Sequence, residues 1–253
     1  MKKIVNLLGY EGLKIIIDPS IFNFSTDSTI LADFVNIKFK DKNIIDLGSG
    51  TGYIPLYLTL KTTAHIYGIE IQKDIYDMFV ESIKINNLED RITPIHDDMK
   101  NIKKYFSPSS FDVVVTNPPY YKDMSKINNN EYKSIARHEI SITFEDIAYI
   151  AKYLLKDGGT FAFVHMPERL FELVDTLKKN NLEPTRLRYV YSTTNKEEAE
   201  LILVETRKNG KPNQLKILQP LYIKDEDNDT TEELLKIYNF KGDADEKTKD
   251  ELE

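Results

Sequence analysis

The fold is decided by the stretch NIIDLGSGTG at residues 43–52. Residues 43–47 form a short apolar run typical of a buried strand, and Gly48, Gly50 and Gly52 follow it directly. Glycines after a strand let backbone amides approach a ligand where side chains would obstruct it. The spacing departs from the G-x-G-x-x-G fingerprint of dinucleotide-binding dehydrogenases, because Tyr53 stands where that fingerprint needs its third glycine. The stretch therefore predicts a ligand-binding loop of a different class.

Outward from this stretch, strand-like and helix-like segments alternate along the chain. Apolar segments with strand character lie at 43–47, 64–71, 91–96, 111–116, 160–165, 186–191 and 199–206. Segments with helical character lie at 53–61, 75–87, 101–106, 143–155 and 167–180. We expect Gly158 and Gly159 to cap the helix at 143–155. The alternation predicts an α/β fold, with a mostly parallel sheet and helices on both of its faces.

The composition is that of an ordinary globular chain. Its 253 residues include 34 Lys and Arg, 41 Asp and Glu, and no Cys. The lack of Cys excludes disulfides and cysteine-nucleophile chemistry, and a chain of this length can bury a sufficient core without them. No run approaches the ~20 apolar residues of a membrane span, and the first residues lack the apolar core of a signal peptide. We therefore expect a cytoplasmic protein without a membrane partner.

The net charge of -7 is concentrated at the end of the chain. Residues 224–253 contain 12 acidic and 5 basic residues, which leaves residues 1–223 neutral. A neutral body can still carry a basic patch on one face, because the field depends on how charges are arranged. We expect an extension at 1–40 with a hairpin over 12–26, a core at 41–223, and an acidic tail at 224–253 that frays from residue 243.

Polar residues follow the carboxyl ends of the predicted strands. They are Glu70, Asp97, Asp98, Met99 and the tetrapeptide Asn117-Pro118-Pro119-Tyr120. The carboxyl ends of parallel strands meet at one edge of a sheet, where open α/β proteins bind their ligands. A carboxylate such as Glu70 is a natural acceptor for two adjacent hydroxyl groups. A solvated strand end is the alternative for Glu70, and helix capping is the alternative for either aspartate.

Five strand–helix units followed by a strand pair resemble the seven-stranded sheet of class I S-adenosylmethionine (SAM) methyltransferases. The resemblance implies SAM as the cofactor, with Asp46 and the glycine loop at its methionine end. It implies that Glu70, with Ile71 beside it, binds the ribose hydroxyls. It also implies that one aspartate, for which we choose Asp98, accepts the adenine amino group while the Met99 amide meets the ring.

The tetrapeptide at 117–120 resembles the catalytic motif of methyltransferases that modify a planar nitrogen, chiefly the exocyclic amine of adenine. The lone pair of this amine is delocalised into the ring, so the amine is a poor nucleophile. The resemblance implies that the Asn117 side-chain oxygen and the Pro118 carbonyl accept its two N–H bonds and turn the lone pair toward the methyl group, with Asn117 beside the cofactor. Pro118 and Pro119 fix the backbone φ angles of the motif. Tyr120 offers an aromatic ring on which an extruded base can stack. The alternative is a strand that simply ends at proline.

Beyond the core, the chain resembles the bacterial family that methylates the exocyclic amine of adenine 37, next to the anticodon of a valine tRNA. The segments that carry this resemblance are 22–27, 31–32, 48–52, 117–121, 136–139, 158–159, 169–170, 220–223 and 231–232. In this family the segment around Asp27 closes over the cofactor, which implies that Asp27 is a further site residue and that the extension covers the cofactor site. An N-cap for a helix at 28–35 is an equal alternative for Asp27.

Two other acceptors share the tetrapeptide. Enzymes that methylate the glutamine amide of peptide release factors carry a helical N-terminal domain, whereas only about forty residues precede the first core strand here. DNA modification enzymes need a target-recognition domain, for which the chain has no room. We therefore expect tRNA as the partner. Release-factor methylation stays the alternative, and an RNA-binding protein without activity is a third possibility.

Several residues are candidates for contacts with RNA. They are Tyr121, Lys122, Lys126, Arg137, His138, Arg186 and Arg188. Ordinary solvated side chains are the alternative for each of them. We expect no metal site, because the four histidines form no i, i+4 pair and two of them end strands about four steps of ~4.8 Å apart. A monomer is favoured.

Overall fold

The structure is a computed structural model, which describes residues 1–20, 26–118 and 142–242. The strands are β1 (Lys3–Asn6), β2 (Lys14–Ile17), β3 (Asn43–Leu47), β4 (His65–Glu70), β5 (Ile92–His96), β6 (Phe111–Thr116), β7 (Leu155–His165), β8 (Leu182–Thr193), β9 (Leu201–Lys208), β10 (Lys216–Ile217) and β11 (Leu221–Lys224). The α-helices are α1 (Thr26–Phe34), α2 (Tyr53–Leu58), α3 (Lys73–Ile85), α4 (Phe144–Leu154), α5 (Leu170–Lys179) and α6 (Glu232–Tyr238). Short 3-10 helices lie at Met99–Lys104 and Pro167–Arg169.

One sheet organises the core. Its strand order is β10-β8-β9-β7-β6-β3-β4-β5, and β11 also pairs with β8. Every pairing is parallel except those of β9, which runs antiparallel to β7 and to β8. The predicted seven-stranded, mostly parallel sheet is confirmed in β3 to β9, and the two short strands β10 and β11 extend it beside β8. The chain reverses its direction of winding between β3 and β6, which creates a crevice at their carboxyl ends.

Alternate residues along the central strands pack into two apolar layers. Ile44 and Val113 belong to the layer beneath α1, α2, α3 and α6, whereas Ile45 and Val114 belong to the layer beneath α4 and α5. All four side chains have no exposed surface. This alternation is what a strand buried on both faces requires, and it fixes the direction of every side chain at the carboxyl ends of the strands.

The predicted cap at Gly158-Gly159 is wrong. Helix α4 ends at Leu154, and the chain turns into an extended conformation at Leu155, so the two glycines lie inside β7. The register between β6 and β7 shifts in this region, and a Cβ atom at Gly159 would lie 2.8 Å from the Lys156 carbonyl oxygen. Here the glycines allow an irregular strand start rather than a helix end.

The N-terminal extension holds a hairpin with different bounds from those predicted. Strands β1 and β2 pair antiparallel, with Ile4 opposite Ile16. Only the second strand lies within the predicted segment 12–26, and residues 21–25 are outside the described residues. The Ser82 hydroxyl accepts the Ile16 amide at 2.9 Å, and this bond attaches the hairpin to α3.

The segment predicted as an acidic tail begins with folded structure. Strand β11 joins the sheet, and α6 buries Leu234 and Ile237 against α1. The Phe240 ring stacks on Tyr57 with ring centroids 5.7 Å apart, and the Phe240 carbonyl accepts the Tyr10 hydroxyl at 2.8 Å. Residues 243–253, which we expect to fray, lie outside the described residues. Within the described part of the chain, no helix is long and apolar enough to cross a membrane.

Candidate active site

The polar residues predicted at strand ends meet along the carboxyl edge of the sheet. In the spatial order of the strands, β7 brings His165, β6 brings Asn117, β3 brings Gly48, β4 brings Glu70 and β5 brings Asp98. The edge therefore has a half formed by β3, β4 and β5, which carries the glycine loop, and a half formed by β6 and β7, which carries the Asn-Pro motif.

The glycine loop turns on backbone conformations that suit glycine alone. Gly48, Gly50 and Gly52 have φ values of 77°, 55° and 90°. A Cβ atom at Gly52 would lie 2.0 Å from the Phe79 ring, so the loop packs directly on α3. A Cβ atom at Gly48 would meet only the Met99 methyl group, at 3.6 Å. The backbone at Gly48 thus remains open toward the predicted ligand.

Glu70 links the end of β4 to this loop. Its Oε2 accepts the Gly50 amide at 3.0 Å, its Oε1 accepts the Gln72 amide at 2.8 Å, and the residue is only 6% exposed. A solvated strand end would not be held in this way. Each carboxylate oxygen can accept a second hydrogen bond, so the position is suited to two hydroxyl donors.

Asp46 is the most unusual titratable group of the edge. It is 1% exposed, and neither of its side-chain oxygens has a hydrogen-bond partner among the described residues. Burial and the neighbouring charge of Glu70 raise the pKa of Asp46 to about 8. Two buried acids side by side are costly, so the site is suited to a ligand that brings positive charge.

The two aspartates after β5 have different partners. Asp97 accepts hydrogen bonds from the Asn101 amide and the Tyr105 hydroxyl, both at 2.8 Å, and these bonds lower the pKa of Asp97 to about 2. Asp98 caps the 3-10 helix, because its Oδ1 accepts the Lys100 amide at 2.8 Å. The capping alternative thus holds for Asp98, and none of the described residues donates a hydrogen bond to its Oδ2. Asp98 therefore stays our choice for the cofactor adenine.

Apolar side chains flank the same end of the site. Ile71 follows Glu70 and is 42% exposed, which is unusual for a large aliphatic side chain directly after a core strand. Met99 is partly buried against the layer beneath α4 and lies beside Gly48. An exposed isoleucine and a methionine at a strand edge can cover the faces of an aromatic ring.

Asn117 and Pro118 end β6 in the position that the sequence predicts. The Asn117 Nδ2 donates to the Ser28 hydroxyl at 3.0 Å, and this bond leaves the Asn117 Oδ1 as an acceptor. Ser28 lies in the first turn of α1, directly after Asp27. Asp27 thus lies inside the first turn of the helix rather than at its N-cap. The predicted residues Pro119, Tyr120 and Tyr121 lie outside the described residues, as do Lys122, Lys126, Arg137 and His138.

A cavity of about 430 Å³ lies at the opposite, amino edge of the sheet, and a second one, of about 220 Å³, adjoins Pro118. The second is lined by Pro118, Ile142, Thr143, Phe144, Ile147, His165 and Arg169. We favour it as the functional cavity because it adjoins the motif. His165 and Arg169 were not among the predicted site residues. The signal that could have found them is the position of His165, which ends the strand next to β6.

Arg186 and Arg188, which we predict to contact RNA, both have partners within the fold. Arg186 forms a 2.8 Å ion pair with Glu205, which is 1% exposed, and its guanidinium lies 4.4 Å from the Phe34 ring centroid. Arg188 pairs with Glu233 of α6 at 2.6 Å. Both arginines join the sheet to its flanking helices, and their contact with RNA stays a prediction.

The cofactor implied by the fold fits the residues present. SAM carries a sulfonium and an ammonium cation, and the unpartnered oxygens of buried Asp46 are acceptors suited to such charge. The glycine loop and Glu70 supply backbone room and hydroxyl acceptors beside it. No cluster of three or more metal-ligating side chains exists in the described ranges.

The comparisons with known proteins agree with this geometry. The TRM5/TYW2 methyltransferase domain matches residues 9–133. The chain is 27% identical over 191 residues to the tRNA1(Val) (adenine(37)-N6)-methyltransferase of Flavobacterium johnsoniae, which covers 75% of this chain and 80% of the relative. It is 25% identical to the protein of the same name from Pseudoalteromonas translucida, with coverage of 90% and 94%.

Solved structures show the same fold. A predicted O-methyltransferase from Agrobacterium tumefaciens superposes with a TM-score of 0.69 at 18% identity, covering 86% of this chain and 97% of the other. TYW2 from Pyrococcus horikoshii, in complex with MeSAdo, gives a TM-score of 0.55 at 16% identity, with coverage of 79% and 70%.

The fold and the site thus define a class I SAM-dependent methyltransferase. Within this class, the chain is similar to several bacterial proteins named tRNA1(Val) (adenine(37)-N6)-methyltransferase.

Proposed function

We propose that this chain transfers a methyl group from SAM to the exocyclic N6 amine of an adenine in tRNA, at position 37 beside the anticodon of tRNA-Val. The observation that carries the proposal is the position of Asn117 and Pro118 at the end of β6, between the glycine loop and the cavity beside Pro118. The names of the curated relatives support the tRNA and the nucleotide. A cytoplasmic location follows from this substrate and remains part of the proposal.

In this proposal the cofactor half of the site holds SAM by charge and by hydrogen bonds. Asp46, buried and without a partner among the described residues, faces the positive charge of the methionine end. Glu70 accepts the ribose hydroxyls while its bond to the Gly50 amide holds it against the loop. Asp98 and Met99 meet the adenine. SAM supplies an electrophilic methyl group on a positively charged sulfur.

The acceptor half makes a poor nucleophile reactive by positioning. The Asn117 Oδ1 and the Pro118 carbonyl accept the two N–H bonds of the amine, which draws the nitrogen toward tetrahedral geometry. The bond between Ser28 and the Asn117 Nδ2 keeps the oxygen of that side chain available. SAM would supply the methyl group, and the Asn117 Oδ1 and the Pro118 carbonyl would hold the amine while its nitrogen gives up one proton to solvent. The rate comes from alignment and fixed acceptors rather than from a general base.

A glutamine amide is the alternative acceptor, because it also presents a planar NH2 group. The described part of the extension disfavours it: the β1–β2 hairpin pairs with α3 through Ser82, and α1 packs on α2 and α6. These elements belong to the core and do not form a separate domain that could hold a protein substrate.

The test is the transfer of labelled methyl from SAM into unmodified total tRNA, followed by digestion and identification of the nucleoside. We expect N6-methyladenosine next to the valine anticodon. Label in a release factor, with none in RNA, would contradict the proposal and establish the alternative. Label in a different nucleoside would retain the cofactor assignment alone.

A further inference from the structure

The outer face of α4 carries an exposed tyrosine beside two lysines. Tyr149 is 50% exposed, and its hydroxyl accepts a hydrogen bond from the Lys103 ammonium at 3.0 Å. Lys103 belongs to the first 3-10 helix, and its ammonium lies 5.0 Å from the Tyr149 ring centroid and 5.1 Å from that of Tyr153. Lys152 follows Tyr149 by three residues, so the two are neighbours on the helix surface. We call Lys103, Tyr149, Lys152 and Tyr153 the tyrosine–lysine patch.

The tyrosine–lysine patch carries positive charge that no carboxylate pairs with directly. Among the residues that the structure describes, neither Lys103 nor Lys152 forms an ion pair, whereas the nearby Lys100 and Lys104 are each paired with an aspartate at 3.6 Å. The hydrogen bond from Lys103, and then the charges of Lys103 and Lys152, lower the pKa of the Tyr149 hydroxyl below its ordinary value. The patch is therefore suited to an anionic partner.

Helix α4 leads from the cavity beside Pro118 to the tyrosine–lysine patch. Phe144 lines that cavity and is the first residue of α4. Tyr149 lies five residues further along, which is a rise of about 7.5 Å. The buried residues of α4 form its opposite face, so the Tyr149 ring is open to solvent. With a target adenine in the cavity, nucleotides of the same loop would lie within reach of the patch.

A tyrosine ring beside two ammonium groups matches the chemistry of a single RNA strand. Every base has a face that can stack on an aromatic ring, and every phosphate accepts hydrogen bonds from lysine. The bases of an RNA loop are available for such stacking because they are not held in a duplex. The patch therefore complements both the charge and the planar groups of a loop strand.

We propose that the tyrosine–lysine patch binds the RNA strand beside the target adenine, with a flanking base on Tyr149 and phosphates at Lys103 and Lys152. This inference rests on the proposed function and adds an interaction surface outside the residues that we predict to contact RNA. The patch contributes affinity for the substrate and takes no part in the chemical step.

The phosphate contacts are tested by the salt dependence of RNA binding. Fluorescence anisotropy measures the affinity for a labelled valine anticodon stem-loop at several salt concentrations. Lys103→Gln and Lys152→Gln should each reduce the slope of log affinity against log salt by about 0.7 to 1, the share of one phosphate contact. Lys103→Arg keeps the charge and should retain the slope. An unchanged slope in both glutamine variants would overturn the phosphate contacts.

A lysine on the opposite face of the sheet is the matched control. The Lys73 ammonium lies 5.9 Å from the Tyr76 ring centroid on α3, but its charge is paired with Asp77. Lys73→Gln should therefore leave the slope unchanged. An equal decrease in Lys73→Gln would show that the slope reports overall charge, and this would also overturn the phosphate contacts.

The stacking contact is tested with two further stem-loops, which carry an abasic site directly before or directly after the target adenine. We expect the unaltered chain to bind one of them at least about fivefold more weakly than the intact loop, the loss typical of one stacked base. Tyr149→Ala should bind that RNA and the intact loop equally, whereas Tyr149→Phe should discriminate as the unaltered chain does. If the unaltered chain binds all three RNAs equally, the stacking contact is overturned.

Methyl transfer separates this inference from the function on which it rests. The variants of the tyrosine–lysine patch should raise KM for the stem-loop and leave kcat and calorimetric SAM affinity unchanged, which a damaged fold would not do. If the unaltered chain transfers no methyl to the stem-loop, the proposed function fails and this inference fails with it. If transfer occurs and the variants keep the KM, the salt slope and the discrimination of the unaltered chain, only the role of the patch is overturned.

Discussion

The Asn117 side chain donates to the Ser28 hydroxyl across 3.0 Å, and this bond joins the end of β6 to helix α1 of the N-terminal extension. An asparagine amide can be placed with its oxygen and nitrogen exchanged, and the bond to a neighbour selects one of the two arrangements. The Ser28 hydroxyl can also donate, but in the observed arrangement it accepts. The extension therefore holds the Asn117 amide, which we propose to be catalytic, in one orientation.

Ser28→Ala should lower kcat by roughly 2- to 12-fold, because the Asn117 amide loses one hydrogen bond and samples both orientations. Steady-state methyl transfer to tRNA measures this effect, and SAM affinity by calorimetry should not change. Thr29→Ala, at the next position but bonded to Tyr53, is the matched control and should leave kcat near its original value. An unchanged kcat in Ser28→Ala would show that the orientation does not depend on this bond.

Asn117→Ala should abolish methyl transfer and keep SAM affinity within a small factor. The substitution removes an acceptor that we propose is aimed at the amine, whereas most of the predicted cofactor contacts lie at the ends of β3, β4 and β5. Single-turnover transfer and calorimetric SAM titration measure the two quantities. Asn180→Ala, at the end of α5, is the control for a lost asparagine. Undiminished turnover in Asn117→Ala would refute the mechanism.

Glu70→Gln should weaken SAM binding by at least about tenfold. The substitution replaces one carboxylate oxygen with an NH2 group, and this donor can face the Gly50 N–H, which is also a donor. It also leaves one side-chain oxygen instead of two to accept the ribose hydroxyls. Isothermal titration with SAM measures the change. Glu81→Gln, on the outer face of α3 and paired with Lys2, is the control. Equal affinities for the two variants would place the ribose elsewhere.

SAM affinity should rise with pH through the neutral range and level off above about pH 8. Burial and Glu70 raise the pKa of Asp46 to about 8, so the empty site holds a proton at neutral pH that a cationic ligand displaces. The gain is at most tenfold per pH unit for one proton. Asp46→Asn should flatten this dependence. A dependence of equal steepness in Asp46→Asn would assign the proton to another group.

The same pKa shift predicts the effect of pH on stability. An acid whose pKa is raised on folding favours the folded state while it stays protonated, so the free energy of unfolding of the empty protein should fall between about pH 4 and pH 8. Urea unfolding of the original chain and of Asp46→Asn measures the difference. Their curves should converge at low pH and separate as the pH rises; parallel curves would contradict the assignment.

Truncation after Phe240 should leave activity unchanged, or raise it at low salt, because it removes acidic residues and spares the contacts of α6. Truncation after Thr230 should destabilise the fold by at least about 3 kcal/mol, since Leu234, Ile237 and Phe240 leave the core. Urea unfolding and RNA binding at several salt concentrations test both. If the chain truncated after Phe240 lost much of its affinity for RNA, residues 241–253 would have a role in RNA binding.

Local features explain why much of the fold was predictable. Glycines after a buried strand, proline at the end of β6 and the helical spacing of α3 are short-range patterns, and the structure confirms these elements within a few residues. Gly158 and Gly159 were predicted as a helix cap because the same residue pair can also begin an irregular strand. Only pairing with β6, more than forty residues earlier, decides between the two.

Contacts between residues far apart in the sequence explain the remaining differences between the prediction and the structure. Arg186 meets Glu205 only because β8 and β9 align those two positions, and Arg188 meets Glu233 only once α6 has docked. The acidic composition beyond residue 224 obscured α6, although Leu234 and Ile237 have the i, i+3 spacing of a buried helical face. To predict His165 as a site residue, one would have to know which strand lies beside β6.

Helix α6 also bears on when the site can be completed during synthesis. The Gly9 amide donates to the Tyr238 carbonyl at 2.9 Å, and the hydroxyls of Thr26 and Tyr238 lie 2.9 Å apart. The segment that carries Ser28 is among the first to leave the ribosome, yet its contacts with α6 need residues that emerge some two hundred positions later. A nascent chain can therefore assemble the glycine loop early. The contacts of α6 that support α1 form only near the end of translation. The Asn117 amide therefore gains its fixed orientation only then.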